Sequence, residues 1–129
     1  MKFQPDQFGH AITSYGPGWI AVAGQRLTHS MVLDSRGELN DWHCPNFDAL
    51  DERHFAPLAA ARPELVVFGS GRTLRFPRPA WIRSLIDAGI GIETMDTGAA
   101  CRTYNILAGE GRRVLAALIV EPADTPQMG

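Results

Sequence analysis

The 129-residue sequence predicts an α/β fold in which parallel strands are joined by helical crossovers and a β-rich N-terminal part supplies an extra layer or edge. Two observations carry this. From Leu65 onward, short apolar runs alternate with stretches of helical period: Leu65 to Phe68, Ala80 to Ala88, Ile90 to Met95, Ala99 to Ala108 and Val114 to Val120. Strand, helix, strand, helix, strand implies right-handed crossovers and at least two parallel strands with helices packed on them. Before Leu65, Gly16-Pro17-Gly18 and Gly24-Gln25 are strong turn signals that cut the first forty residues into short extended pieces.

Those pieces are Ala11 to Tyr15, Trp19 to Ala23 and Arg26 to Asp34, with a further strand or loop at Glu38 to Trp42 after Ser35-Arg36-Gly37. Asn46 or Asp48 is expected to cap a short helix through Leu50 to about Leu58, with Pro57 near its end and Arg62-Pro63 as its stop. Leu65 to Phe68 is a four-residue apolar run bounded by turn residues, which suits a strand buried on both faces. A loop containing Pro77 and Pro79 leads to Ala80 to Ala88, where Trp81, Ile82, Leu85 and Ile86 are spaced for one helix face. Gly91 to Met95 alternates small or polar with apolar residues as a strand does. Asp96-Thr97-Gly98 then offers two N-cap residues and a glycine, and the helix from Ala99 closes at Gly109 and Gly111. The whole chain reads as one domain with an ordered core over 10–120. Glu121 to Gly129, with two prolines and no apolar period, reads as a loose tail.

The formal charge of −2 and pI near 6.0 leave no electrostatic footprint for nucleic acid or an anionic membrane. Eleven of the twelve basic residues are Arg, scattered along the chain. The start, Met1 to Asp6, has no apolar core of a signal peptide, and no run approaches transmembrane length, so the expected setting is the cytoplasm with Cys44 and Cys101 reduced and no membrane insertion. No Cys-x-x-Cys or His-x-x-x-His spacing is present, and no metal site or cofactor is expected.

Ligands in open α/β sheets sit beyond the carboxyl ends of the parallel strands. Two loops qualify: Gly69, Ser70, Gly71 and Arg72 after the first parallel strand, and Asp96, Thr97 and Gly98 after the second. If the strands are neighbours, these loops make one crevice in which glycines admit a ligand closely and helix N–H groups favour an anion. Cys101, Arg102 and Asn105 complete the candidate set, with Thr97, Cys101 and Asn105 on one helix face. Each has a plainer role available: glycines that turn the chain, an Asp96 that only caps, an Asn105 that locks the helix to a loop. Cys101 is either an activated thiol near a helix start or a small core residue. All four histidines lie in the first half of the chain, so no base adjoins it in sequence.

Together with Leu65-Val66-Val67-Phe68-Gly69-Ser70-Gly71, the phrase Met95-Asp96-Thr97-Gly98-Ala99-Ala100-Cys101-Arg102-Thr103-Tyr104-Asn105-Ile106-Leu107 closely resembles a family of small proteins first catalogued as a domain of unknown function. Its eukaryotic members include a mitochondrial complex I assembly factor and an adipogenesis-associated protein. The resemblance runs from about Ile12 to Val120. It implies a three-layer α/β fold with a central mixed sheet, helices packed on it and extra N-terminal antiparallel β hairpins. It also implies a protein partner and a non-catalytic, assembly-factor-like role, with respiratory-complex biogenesis as its context. The alternative is a small enzyme or redox sensor in which Cys101 and the arginines act on an anionic small molecule.

Overall fold

The computed structural model describes residues 11–122; the start of the chain and 123–129, most of the expected tail, lie outside the described residues. Three short strands, β1 (Ile12–Gly16), β2 (Trp19–Val22) and β3 (Gln25–Leu27), form an antiparallel sheet in that order. Five others, β4 (Met31–Asp34), β5 (Glu38–Asp41), β6 (Leu65–Gly69), β7 (Gly91–Met95) and β8 (Val114–Leu118), form a mixed sheet ordered β5-β4-β8-β6-β7. β6 lies between parallel neighbours β7 and β8, while β4 runs antiparallel to both β8 and β5. The helices are α1 (Glu52–Ala60), α2 (Arg83–Asp87) and α3 (Thr97–Gly109).

A period of two divides the central strand between two cores. Val114, Ala116, Leu118 and Val120 enter one cluster with Met31, Leu33 and Val67. Leu115, Ala117 and Ile119 enter the other with Val66 and Phe68. The first face is covered by α3, through Ala100, Cys101 and Tyr104, and by the small sheet, through Ile12, Ile20 and Val22. The second is covered by α1 and α2, through Phe55, Leu58 and Leu85, with Trp42 and Leu50. This is the three-layer α/β arrangement with a central mixed sheet and an extra N-terminal antiparallel unit.

The crossovers explain where the site falls. From β6 the chain passes over the second face through α2 to β7, and from β7 it passes over the first face through α3 to β8. Because β7 and β8 flank β6 on opposite sides, using opposite faces keeps both crossovers of one hand. The connections leaving the neighbours β6 and β7 therefore diverge, which makes their carboxyl ends the topological switch point.

Local chemistry corrects three expectations. The stretch Arg26 to Asp34 is two strands, because the chain leaves the small sheet at Leu27 and joins the large one at Met31. Asn46 caps only a short 3-10 turn at Phe47–Ala49. The cap of α1 is Asp51, whose carboxylate accepts from Arg53 N while His54 Nδ1 accepts from Asp51 N, a reciprocal capping box. Ala80 to Ala88 splits into a 3-10 turn, Pro79–Ile82, and α2, with no side chain capping either start. Cys44 and Cys101 are both free and belong to opposite cores, so the sheet separates them.

Candidate functional site

The loops after β6 and β7 adjoin, and they are stitched together. Beyond the last strand pair, Gly69 with Met95, the ladder continues as Ser70 N donates to Met95 O at 2.9 Å and Thr97 N donates to Gly71 O at 2.8 Å. Gly71 N donates to Thr97 Oγ1 at 2.9 Å, and that hydroxyl donates to Ile119 O at 2.8 Å. Ile119 N in turn donates to Gly69 O at 3.0 Å. One threonine hydroxyl thus ties the ends of three parallel strands. The approach is close enough to demand glycine: a Cβ on Gly69 would lie 3.0 Å from Thr97 Cα, and Gly71 has φ of 105°.

The buried Ser70 hydroxyl donates to Thr73 O at 2.7 Å and accepts from Arg75 N at 3.0 Å, closing the base of the next loop. Arg75 Nη2 donates to Ser70 O at 2.9 Å and to Glu121 Oε2 at 2.7 Å. Glu121 Oε1 accepts from Arg72 N at 3.1 Å, so the first residue of the expected tail is tied to the site.

At the start of α3, Asp96 Oδ1 accepts from Ala99 N at 2.9 Å, the capping role its position implied. With Thr97 N on Gly71 and Ala100 N on Asp96 O, three donors of the first turn have partners within the chain. Farther along, Asn105 accepts from Ile12 N at 3.1 Å and donates to Ile12 O at 2.6 Å, locking the helix to β1. Arg102 donates to the Tyr15 hydroxyl, and its guanidinium lies 6.0 Å from that ring. Cys101, on the core side of the helix, is 1% exposed. Burial pushes its thiol up to about 12, with Arg102 opposing and Asp96 adding to the shift. A thiol held protonated by burial at neutral pH lacks the thiolate character of an activated nucleophile.

A cleft of about 330 Å³ does open here, between these loops and the β1–β2 hairpin. Of the candidate residues, Gly71, Arg72, Asp96, Thr97 and Gly98 line it. Gly69, Ser70, Cys101, Arg102 and Asn105 are not among its lining residues. Tyr15, Trp19 and Glu121 are, outside the candidate set: the sequence places Tyr15 and Trp19 in strands on either side of a turn and Glu121 at the start of a tail, and no local signal brings them to this site. Asp96 and Glu121 put carboxylates on its walls, Glu121 paired with Arg75 at 2.7 Å, and Arg72 lines it with them.

Beside the cleft, the loop from Arg72 to Arg78 turns apolar groups outward. Leu74 is 53% and Phe76 is 68% exposed, and Arg72 and Arg78 are exposed with them. Arg75 folds inward, its guanidinium 4.9 Å from the Phe47 ring. Large apolar residues in a proline-bounded loop, with no helical or strand period to bury them, were the available signal. Among the described residues no helix is long and apolar enough to cross a membrane.

Residues 12–119 match the family described as protein of unknown function (DUF498/DUF598). A Bos taurus protein named NADH dehydrogenase (ubiquinone) 1 alpha subcomplex assembly factor 3 is 32% identical over 116 residues, covering 88% of this chain and 62% of the bovine one. The chain thus spans less than two thirds of that relative's length. A crystal structure from Bordetella parapertussis has a TM-score of 0.81 at 37% identity, covering 86% of this chain and 95% of the other. A solution structure of a Mth938-like domain from Bordetella pertussis has a TM-score of 0.79 at 30% identity, covering 96% and 94%. The chain belongs to the DUF498/DUF598 family.

Proposed function

We propose that this family member is a non-catalytic protein-binding module of assembly-factor type, and that the loop from Arg72 to Arg78 is its contact with an acidic surface on the partner. The observation that carries the reading is the outward exposure of Leu74 and Phe76 between exposed arginines. Apolar anchors ringed by Arg are the composition of an interface centre rather than of a solvated loop. The candidate crevice supports it: Gly69, Ser70, Gly71, Asp96, Thr97 and Gly98 hold the loop's base rigid, so little ordering entropy is lost on binding. The buried thiol of Cys101 speaks for packing over chemistry. The name of the bovine relative supports a setting in respiratory-complex biogenesis.

The test compares proteins retained from a native extract by the parent, a Leu74→Ser, Phe76→Ser double variant and a Cys101→Ala variant. We expect one partner to be lost with the loop variant and retained with Cys101→Ala, while the loop variant's denaturant midpoint stays within about 0.5 kcal/mol of the parent's. An identical set of retained proteins for parent and loop variant would remove the assignment. Loss of the partner with Cys101→Ala alone would return the thiol to consideration.

A further inference from the structure

The helix layer over the second face stops short of the β5 edge. There a groove of about 580 Å³ lies between β5 and α1. Val32, Trp42, Leu58 and Leu115 give it an apolar lining; Glu38, Asn40 and Asp41 line it from β5 and Arg53 and His54 from α1, with Asp41 paired to His43 at 2.9 Å and Arg53 to Asp51 at 2.7 Å. β5 ends the sheet on this side, so its outer row of backbone N–H and C=O groups has no strand partner among the described residues.

We propose that this groove is a strand-addition site, and that its occupant is an extended segment of a partner protein in which basic and apolar residues alternate. The main chain of such a segment pairs with β5 and extends the sheet to a sixth strand, while alternate side chains enter the groove. The register shows what those side chains must be. Asp34 and Glu38 are direct cross-strand partners of β4 and β5 on the groove side, two carboxylates facing each other, an arrangement that costs stability. Arg113 relieves Asp34 from beneath, with Nη2 3.2 Å from its Oδ2. Glu38 is exposed and has its groove side open. A Lys or Arg carried on an added strand would stand about 5 Å from Glu38 and supply the missing counter-charge. An apolar residue two positions on would lie over Val32 and Trp42.

A second copy of this chain is a poor occupant. In two-fold antiparallel pairing each side chain keeps its face, so Glu38 stands opposite Asn40 or its own copy, and β5 carries no Lys or Arg to supply the counter-charge. Glu38, which self-pairing leaves without a cation, favours a basic strand.

The probe is a capped hexapeptide of alternating Lys and Val, titrated into the ¹⁵N-labelled full chain. We expect amide shifts concentrated at residues 38–42, slowed hydrogen exchange in β5 and a Kd below about 1 mM. A Glu-Val peptide should bind at least about tenfold more weakly, and backbone N-methylation should remove binding, because the main chain carries the pairing. Glu38→Lys, at an exposed position that leaves the fold intact, should weaken Lys-Val binding at least about fivefold, and Asp87→Lys on exposed α2 should not. Equal binding of the two peptides, shifts centred on the Leu74 and Phe76 loop, no shifts at millimolar peptide, or self-association through β5 in sedimentation would each overturn the proposal.

Discussion

The two faces of the mixed sheet solve the same covering problem with different residues. The first lies under a helix of 13 residues and a three-stranded sheet, and its core is aliphatic, with Tyr104 the one ring in it among the described residues. The second lies under helices of nine and five residues, each preceded by a 3-10 turn, and its core holds Trp42, Phe47, Phe55, Phe68 and Trp81. Neighbouring rings there sit 5.3 to 6.4 Å apart, several of them edge to face. Long, smooth elements approach a sheet closely enough for Ala100 and Ala116 to fill the gap. Short elements at varied angles leave wedges, and large flat side chains fill wedges. One face should therefore fail by deletion and the other by insertion.

The largest effect should come from Phe55→Ala. This fully buried ring touches Trp42, Phe68 and Trp81, and its removal should cost about 3–5 kcal/mol in urea unfolding. A loss under 1.5 kcal/mol would mean the second face collapses readily and the contrast is wrong. On the first face the equivalent insult is Ala116→Leu, fully buried under α3. Overpacking there should cost about 1–3 kcal/mol, whereas Val66→Leu on the second face should cost less.

Thr97→Val tests the seam between the layers. It keeps the shape but leaves Gly71 N without an acceptor and Ile119 O without its hydroxyl donor, a loss of about 1–3 kcal/mol. Coincident unfolding midpoints would show that water replaces both bonds.

The gentlest comparison uses the two thiols, one in each core. Burial pushes Cys44 up to about 11 and Cys101 up to about 12 from a usual 9.0. The native state therefore holds these protons more tightly than the unfolded chain. Stability should be full below pH 9 and fall as pH rises from there through the folded values. Cys101→Ala should flatten that alkaline slope. A parent equally stable at pH 8 and pH 10.5 would contradict the burial of both.

Much of this architecture could be read in advance, and the failures have physical causes. Leu65 to Phe68 and Val114 to Val120 announced themselves as buried parallel strands, because a strand covered on both faces needs unbroken apolar sequence. Asp96 announced α3, because a cap is a local device. The division of Arg26 to Asp34 was hidden, since strand propensity does not say which sheet a residue joins. The candidate site was legible as a place: the loops at Gly69 and Asp96 do meet. Its chemistry was not legible, because the hydroxyl of Thr97 reads the same whether it faces a ligand or the carbonyl of Ile119. The partnership of Arg75 with Glu121 spans 46 residues of sequence, and no local pattern marks it.

The closed base of the Arg72 to Arg78 loop has one more consequence. Ser70 pins the chain at Thr73 and Arg75, and Thr97 pins Gly71, so the strain of any change at the tip ends within a few residues of it. A loop isolated from its scaffold in this way is a graft position: its sequence and length can vary while the sheet beneath keeps its register.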